Sequence, residues 1–296
     1  MALCKSQASL SPDGHNQKQH MNVFRMKTLG FGVALVICSA IHAQATTTVV
    51  TPGNMDGWTF YSTDSSGTVG TGTAITGMVT GPATPPLGTG SAQLETGAGA
   101  GDGSAQLRNS DWSGTSLSNL TTLSYSTYAT AWNGSQLPWL RLYVAFNGDV
   151  NYDDRLVFEP VYSSAGAGNG DPNPQADVAL NTWQNWNVLT GMVYSDIDGG
   201  PGSDAETFAQ YLINHPTATI VSDDVQGIGG IRLTAGLASA EDNFNTYVDN
   251  FTIGTADGTT TYDFEPTAAP EPTTMTLGIA GALLLSVRKL RRNRAV

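Results

Sequence analysis

The sequence predicts an all-β fold, a sandwich or barrel with one short helix. Three observations lead there. Glycine is abundant, at 34 of 296 residues, while charged side chains make up only 13%. That balance suits a loop-rich β protein better than a helical bundle. Short runs of alternating apolar and polar residues recur between clusters of Gly, Asn, Asp and Pro. A hydrophobic share of 40% is enough to bury a core, which excludes wholesale disorder.

The strands are expected at 58–62, 91–95, 104–108, 123–130, 139–146, 155–162, 186–194, 217–222, 230–235, 247–253 and 260–264. In one of them Leu140, Leu142, Val144 and Phe146 share a face. In another, Tyr247, Asp249, Phe251 and Ile253 oppose Val248, Asn250 and Thr252. Trp183 and Trp186 are three apart, so in a strand they face opposite sides, one to the core and one to solvent. One helix is expected. Ser203 to Glu206 reads as a capping box, with Ser203 as N-cap. Phe208, Tyr211 and Leu212 then fall on one face, and Pro216 ends the helix.

Basic residues gather at the two ends. Arg25 and Lys27 precede an apolar run at 29–41, and Ala43-Gln44-Ala45 has the small-x-small form of a signal-peptide cleavage site. This predicts a leader over 1–45, with Met21 and Met26 as alternative starts. At the other end Pro270-Glu271-Pro272 precedes an apolar run at 275–287. The basic cluster Arg288, Lys289, Arg291, Arg292, Arg294 follows. Thirteen helical residues span about 20 Å, short of the ~30 Å hydrocarbon core. That suggests a marginal transmembrane helix held by a stop-transfer cluster on the cytoplasmic side.

These three parts in order resemble the PEP-CTERM sorting tail of bacterial exported proteins, over residues 270–296. The resemblance implies an exosortase-type sorting enzyme and the export machinery as partners. It implies transient insertion in the inner membrane and delivery to the cell surface or extracellular space. It also implies association with extracellular polysaccharide and biofilm.

The region between is a single domain, residues 46–269, with no Pro-rich linker. It holds 4 Arg, no Lys, no Cys and only His215, against 23 acids, for a formal charge of −19. Stretches including Gly90 to Leu94, Leu123 to Tyr128, Leu156 to Pro160, Trp183 with Trp186, Pro216 to Ile220, Gly227 to Leu233 and Val248 to Gly254 look like a group of secreted bacterial proteins of unassigned function. That group is similar in outline to jelly-roll sandwiches of the carbohydrate-binding-module kind. The resemblance implies a jelly-roll-like β-sandwich and carries no catalytic assignment.

The missing residue types narrow the chemistry. Without Cys there is no thiol nucleophile or thiolate metal site. Without Lys there is no Schiff base or P-loop. His215 has no nucleophile elbow to serve, and at the end of the helix it suits capping of the last carbonyls. The acidic balance excludes nucleic acid as a partner. No catalytic residue is assigned. Carboxylate-pair glycoside hydrolysis is the one enzymatic alternative, with Glu159 its best single candidate.

Calcium is the cofactor the acidic turns suit, since hard cations take oxygen ligands from loops. Asp149, Asn151 and Asp153 place oxygens at alternate positions, without the Gly and Glu that complete an EF-hand loop. Asp196, Asp198 and Asp204 form a second group. The alternative is a set of solvated turns, in which Asp and Asn are common. Trp112 and Trp132 lie in turn-like sequence and are the candidate glycan platforms. The function expected is a non-catalytic surface or matrix protein contacting exopolysaccharide. Its alternatives are a glycan-cleaving enzyme and a calcium-stabilised structural protein.

Overall fold

The computed structural model describes residues 44–64, 68, 74–97, 102–134, 136–197, 200, 205–222, 230–236 and 243–267. Among them run β1 (Gln44–Val50), β2 (Trp58–Asp64), β3 (Ile75–Thr80), β4 (Gly90–Thr96), β5 (Asp102–Asn109), β6 (Leu120–Ala131), β7 (Trp139–Ala145) and β8 (Asp154–Phe158). Then come β9 (Gln184–Asn187), β10 (Met192–Ser195), β11 (Glu206–Thr207), α1 (Phe208–Asn214), β12 (Thr219–Ile220), β13 (Ile231–Gly236), β14 (Phe244–Thr255) and β15 (Gly258–Phe264).

The chain is mostly β, as expected, and its strands fall into two sheets. The first runs β1-β15-β14-β4-β3, with β6 along β14 and β9 beyond it. The second runs β11-β10-β8-β7-β13-β5-β2, with β12 on β7. Both contribute to one core. Leu94, Tyr125, Val248 and Phe251 of the first sheet cluster with Leu107, Leu140, Leu142 and Leu233 of the second. Trp58 of β2 meets Phe251, Tyr262 and Phe264 edge-on at 5.1–5.4 Å, the geometry aromatic quadrupoles favour. Period-2 alternation drives this layout, since each strand turns its apolar face inward.

Several strand expectations hold and others need correction. Leu140, Leu142 and Val144 are buried together, with Phe146 packed beside them. Trp186 is buried and donates to Thr127 Oγ1 at 2.7 Å. Trp183 is half-buried and donates to the Pro82 carbonyl. The run expected at 186–194 is instead two strands in different sheets. A 3-10 turn at Val188–Thr190 separates β9 from β10, capped by Asn187 Oδ1 on the Leu189 N–H. The run at 155–162 stops at Phe158, because Pro160 opens a 3-10 turn.

In β14 the expected alternation fails at Asn250. Its φ of 53° places it in a bulge, and the pairing with β6 shifts register between Asp249 and Thr252. Before the bulge Phe244, Thr246 and Val248 are the buried set; after it Phe251 and Ile253 are. Tyr247 and Phe251 therefore do not share a face, since one extra residue reverses the alternation. Three edge strands were missed altogether, among them β11, which lies where the capping box was expected. β3 carries too little alternation, and β1 lies where the leader was expected to end. Ala45 sits inside β1, opposite Thr259, so a cut after it would leave Thr46–Val50 of that strand.

The helix starts later than expected. Thr207 is its N-cap, with Oγ1 accepting from the Gln210 N–H at 3.1 Å. Thr207 to Gln210 is itself a capping-box spacing, and it wins over the one ending at Glu206. Glu206 pairs with Val193 in β11 and accepts from Asn214 Nδ2. Ser203 and Asp204 lie outside the described residues. Phe208 and Tyr211 are buried on the core as expected.

The expected transmembrane helix and transient membrane anchoring are corrected. Among the described residues no helix is long and apolar enough to cross a membrane. α1 has seven residues, about 10 Å of rise against a ~30 Å hydrocarbon core. The apolar runs at 29–41 and 275–287, the motif Pro270-Glu271-Pro272 and the basic cluster Arg288 to Arg294 lie outside the described residues, as does Ala43.

Candidate functional site

At one end of the two sheets the loop after β5 meets the β14–β15 hairpin. Between them opens a groove of about 620 Å³, lined by Trp112, Thr115, Ser116, Asn119, Thr121 and Asp257 among others. Each wall has a local cause. Asn109 Oδ1 accepts the Asp111 N–H and turns the chain out of β5. A 3-10 turn, Leu117–Asn119, anchored by buried Leu117, turns Asn119 outward and leads into β6. The hairpin turn at Asp257 closes the far side.

Trp112, one of the two expected platforms, is half-buried. Its indole Nε1 donates to Tyr262 Oη at 3.1 Å, and part of the ring packs on the core. That bond fixes the ring at the groove wall. The polar lining is hydroxyl and amide, with one carboxylate at Asp257. Trp132 also packs partly on the core, but it does not line this groove. The two Trp are thus not brought together in one site.

The calcium candidates are dispersed. Asp153 Oδ2 accepts the Phe146 N–H at 2.6 Å, closing its own turn. Asp149 and Asn151 are exposed. Asp196 faces two guanidinium groups, pairing with Arg141 and, at 2.6 Å, with Arg155. Asp198 lies outside the described residues, with Asp204. Among the described residues no group of three or more His, Cys, Asp or Glu is placed to hold a metal. His215 donates its backbone N–H to the Tyr211 carbonyl, while its ring stacks on Phe146 at 4.6 Å and 9°.

Glu159 is the most perturbed acid on the second sheet. It is buried, and burial pushes its carboxyl up to about 7, against the pull of the Tyr194 hydrogen bond and the Arg141 charge. Oε1 accepts from Tyr194 Oη at 2.5 Å. The neighbouring charge that pulls on it is the Arg141 guanidinium.

Sequence reasoning missed a group of acids at a fork in the first sheet. β14 pairs with β4 up to Val248 and with β15 from Phe251, so its edge changes partner at Asp249. Asp249 accepts from the Leu87 and Phe264 N–H groups at 3.0 and 3.2 Å. Glu265 accepts from the Thr89 and Gly90 N–H groups. Burial raises Asp249 to about 7; Asp263 is raised to about 6 by burial and by Glu265 beside it. Nothing local in sequence marks this fork, because its members are up to 176 residues apart.

No family model matches this chain, and no curated protein matches it. The signal-peptide, sorting-tail and exosortase readings therefore have no support from known families.

Proposed function

We propose that this protein is a non-catalytic, jelly-roll-type β-sandwich that binds a polysaccharide in the Trp112 groove. The observation that carries the reading is the groove itself. An aromatic ring held at its wall suits the apolar face of a sugar ring, and hydroxyl and amide side chains around it suit sugar hydroxyls. The crossing of the chain between two sheets that share a core supports the jelly-roll assignment.

Pull-down of the full chain on immobilised neutral polysaccharides tests it. Retention that falls about tenfold, or roughly 1.4 kcal/mol, in Asn119→Ala and Thr121→Ala is the expected result. Both side chains are outside the core, so folding is preserved. Failure of any polymer to retain the chain, or retention unchanged in both variants, would reject the reading.

A further inference from the structure

The outer face of the second sheet holds a row of buried polar groups that lack partners. Thr234 of β13 is opposite Trp139 of β7. Leu140 is opposite Phe158, so the next position along places Glu159 beside Trp139. Leu233, Leu140 and Phe158 point to the shared core, so Thr234, Trp139 and Glu159 point away from it. All three are at most 4% exposed. Yet Thr234 Oγ1, Trp139 Nε1 and Glu159 Oε2 make no hydrogen bond. Arg141 Nε, the next group on the same face, makes none either; its guanidinium pairs with Asp196 through Nη2 and lies 4.6 Å from the Trp139 ring. A buried polar group left without a partner is destabilising. Four such atoms lie together on adjoining strands.

We propose that this row binds an acidic sugar, a uronate, independently of the Trp112 groove. The Thr234 hydroxyl, the Trp139 N–H and the Glu159 carboxyl take its hydroxyl groups, and the Arg141 Nε–H, on the edge that Asp196 does not hold, takes its carboxylate. Charge distribution selects an acid over a neutral sugar. Residues 46–269 hold only 4 Arg and no Lys. All four lie on this face: Arg108, Arg232 and Arg141 in adjacent register, and Arg155 opposite Tyr143. Against them stand Asp196, which pairs with Arg141 and Arg155, and Glu159, so four guanidinium groups face two carboxyls and the face is positive in a chain stretch that is otherwise acidic. Tyr162, packed over Trp139, Val157 and Tyr194, forms part of the cover and moves aside on binding.

Calorimetric titration of the full chain with galacturonate oligosaccharides, and separately with cello-oligosaccharides, tests this. Galacturonate is expected to bind the more tightly. Trp139→Phe and Thr234→Val delete only an N–H and a hydroxyl. Each is expected to weaken galacturonate binding about tenfold while leaving the melting temperature level or higher. Absence of galacturonate binding, equal affinity for the two probes, or binding unchanged in both variants would overturn the proposal. So would affinity that responds to Asn119→Ala instead, which would assign the ligand to the groove.

Discussion

Asp249 is the residue on which the first sheet turns. Its carboxyl bonds the N–H groups of Leu87 and Phe264, one on each side of the fork. Asp249→Ala orphans both in a buried setting, and we expect a loss of about 2–4 kcal/mol by denaturant titration. Asp249→Asn keeps one acceptor and loses less. Gly88 makes the same point from the other side. It has φ +49°, and a Cβ there would lie 1.7 Å from Glu265 Oε1. Gly88→Ala therefore breaks the Glu265 contacts and is expected to cost at least about 1 kcal/mol. Neither role was legible in the sequence. Asp249 reads as one more polar residue of an alternating strand, and Gly88 as one of many turn glycines.

Among the elements, strands were legible wherever alternation was strong, as in β7, where Leu140, Leu142 and Val144 announce their face. Sheet membership was not. Trp186 and Tyr194 read as one run, yet a three-residue turn sends β9 and β10 to different sheets. The bulge at Asn250 depends on a backbone conformation that Asn tolerates and does not require, so it leaves no pattern to read. The helix was legible in its buried face and not in its start, because two capping-box spacings follow one another, 203–206 and 207–210. Thr207→Ala is expected to cost about 1 kcal/mol, measurable as a lowered denaturation midpoint. Of the candidate site, Trp112 was legible as a turn tryptophan. The Thr234–Trp139–Glu159 row was not, since its members meet only through pairing of distant strands.

For the whole molecule, buried acids set the response to pH. Glu159 and Asp249 titrate near 7 and Asp263 near 6, above their ordinary values of 4.5 and 3.8. Each binds its proton more tightly in the folded state than in the unfolded one. Their stabilising contribution is therefore full below about pH 4 and is lost as pH rises toward about 7. The melting temperature is expected to be higher near pH 5 than near pH 8, with Glu159→Gln and Asp249→Asn each flattening the difference. A higher melting temperature near pH 8 would contradict the burial of these acids.

The proposed binding of a polysaccharide in the groove beside Trp112 predicts a local change in solvent access on binding. Hydroxyl-radical footprinting of the full chain, with and without a polysaccharide that retains it, tests this most directly. Protection of Trp112 and of the segment 115–121 is expected, with Trp132 unchanged. Protection confined to other surfaces, or none at saturating polysaccharide, would contradict it.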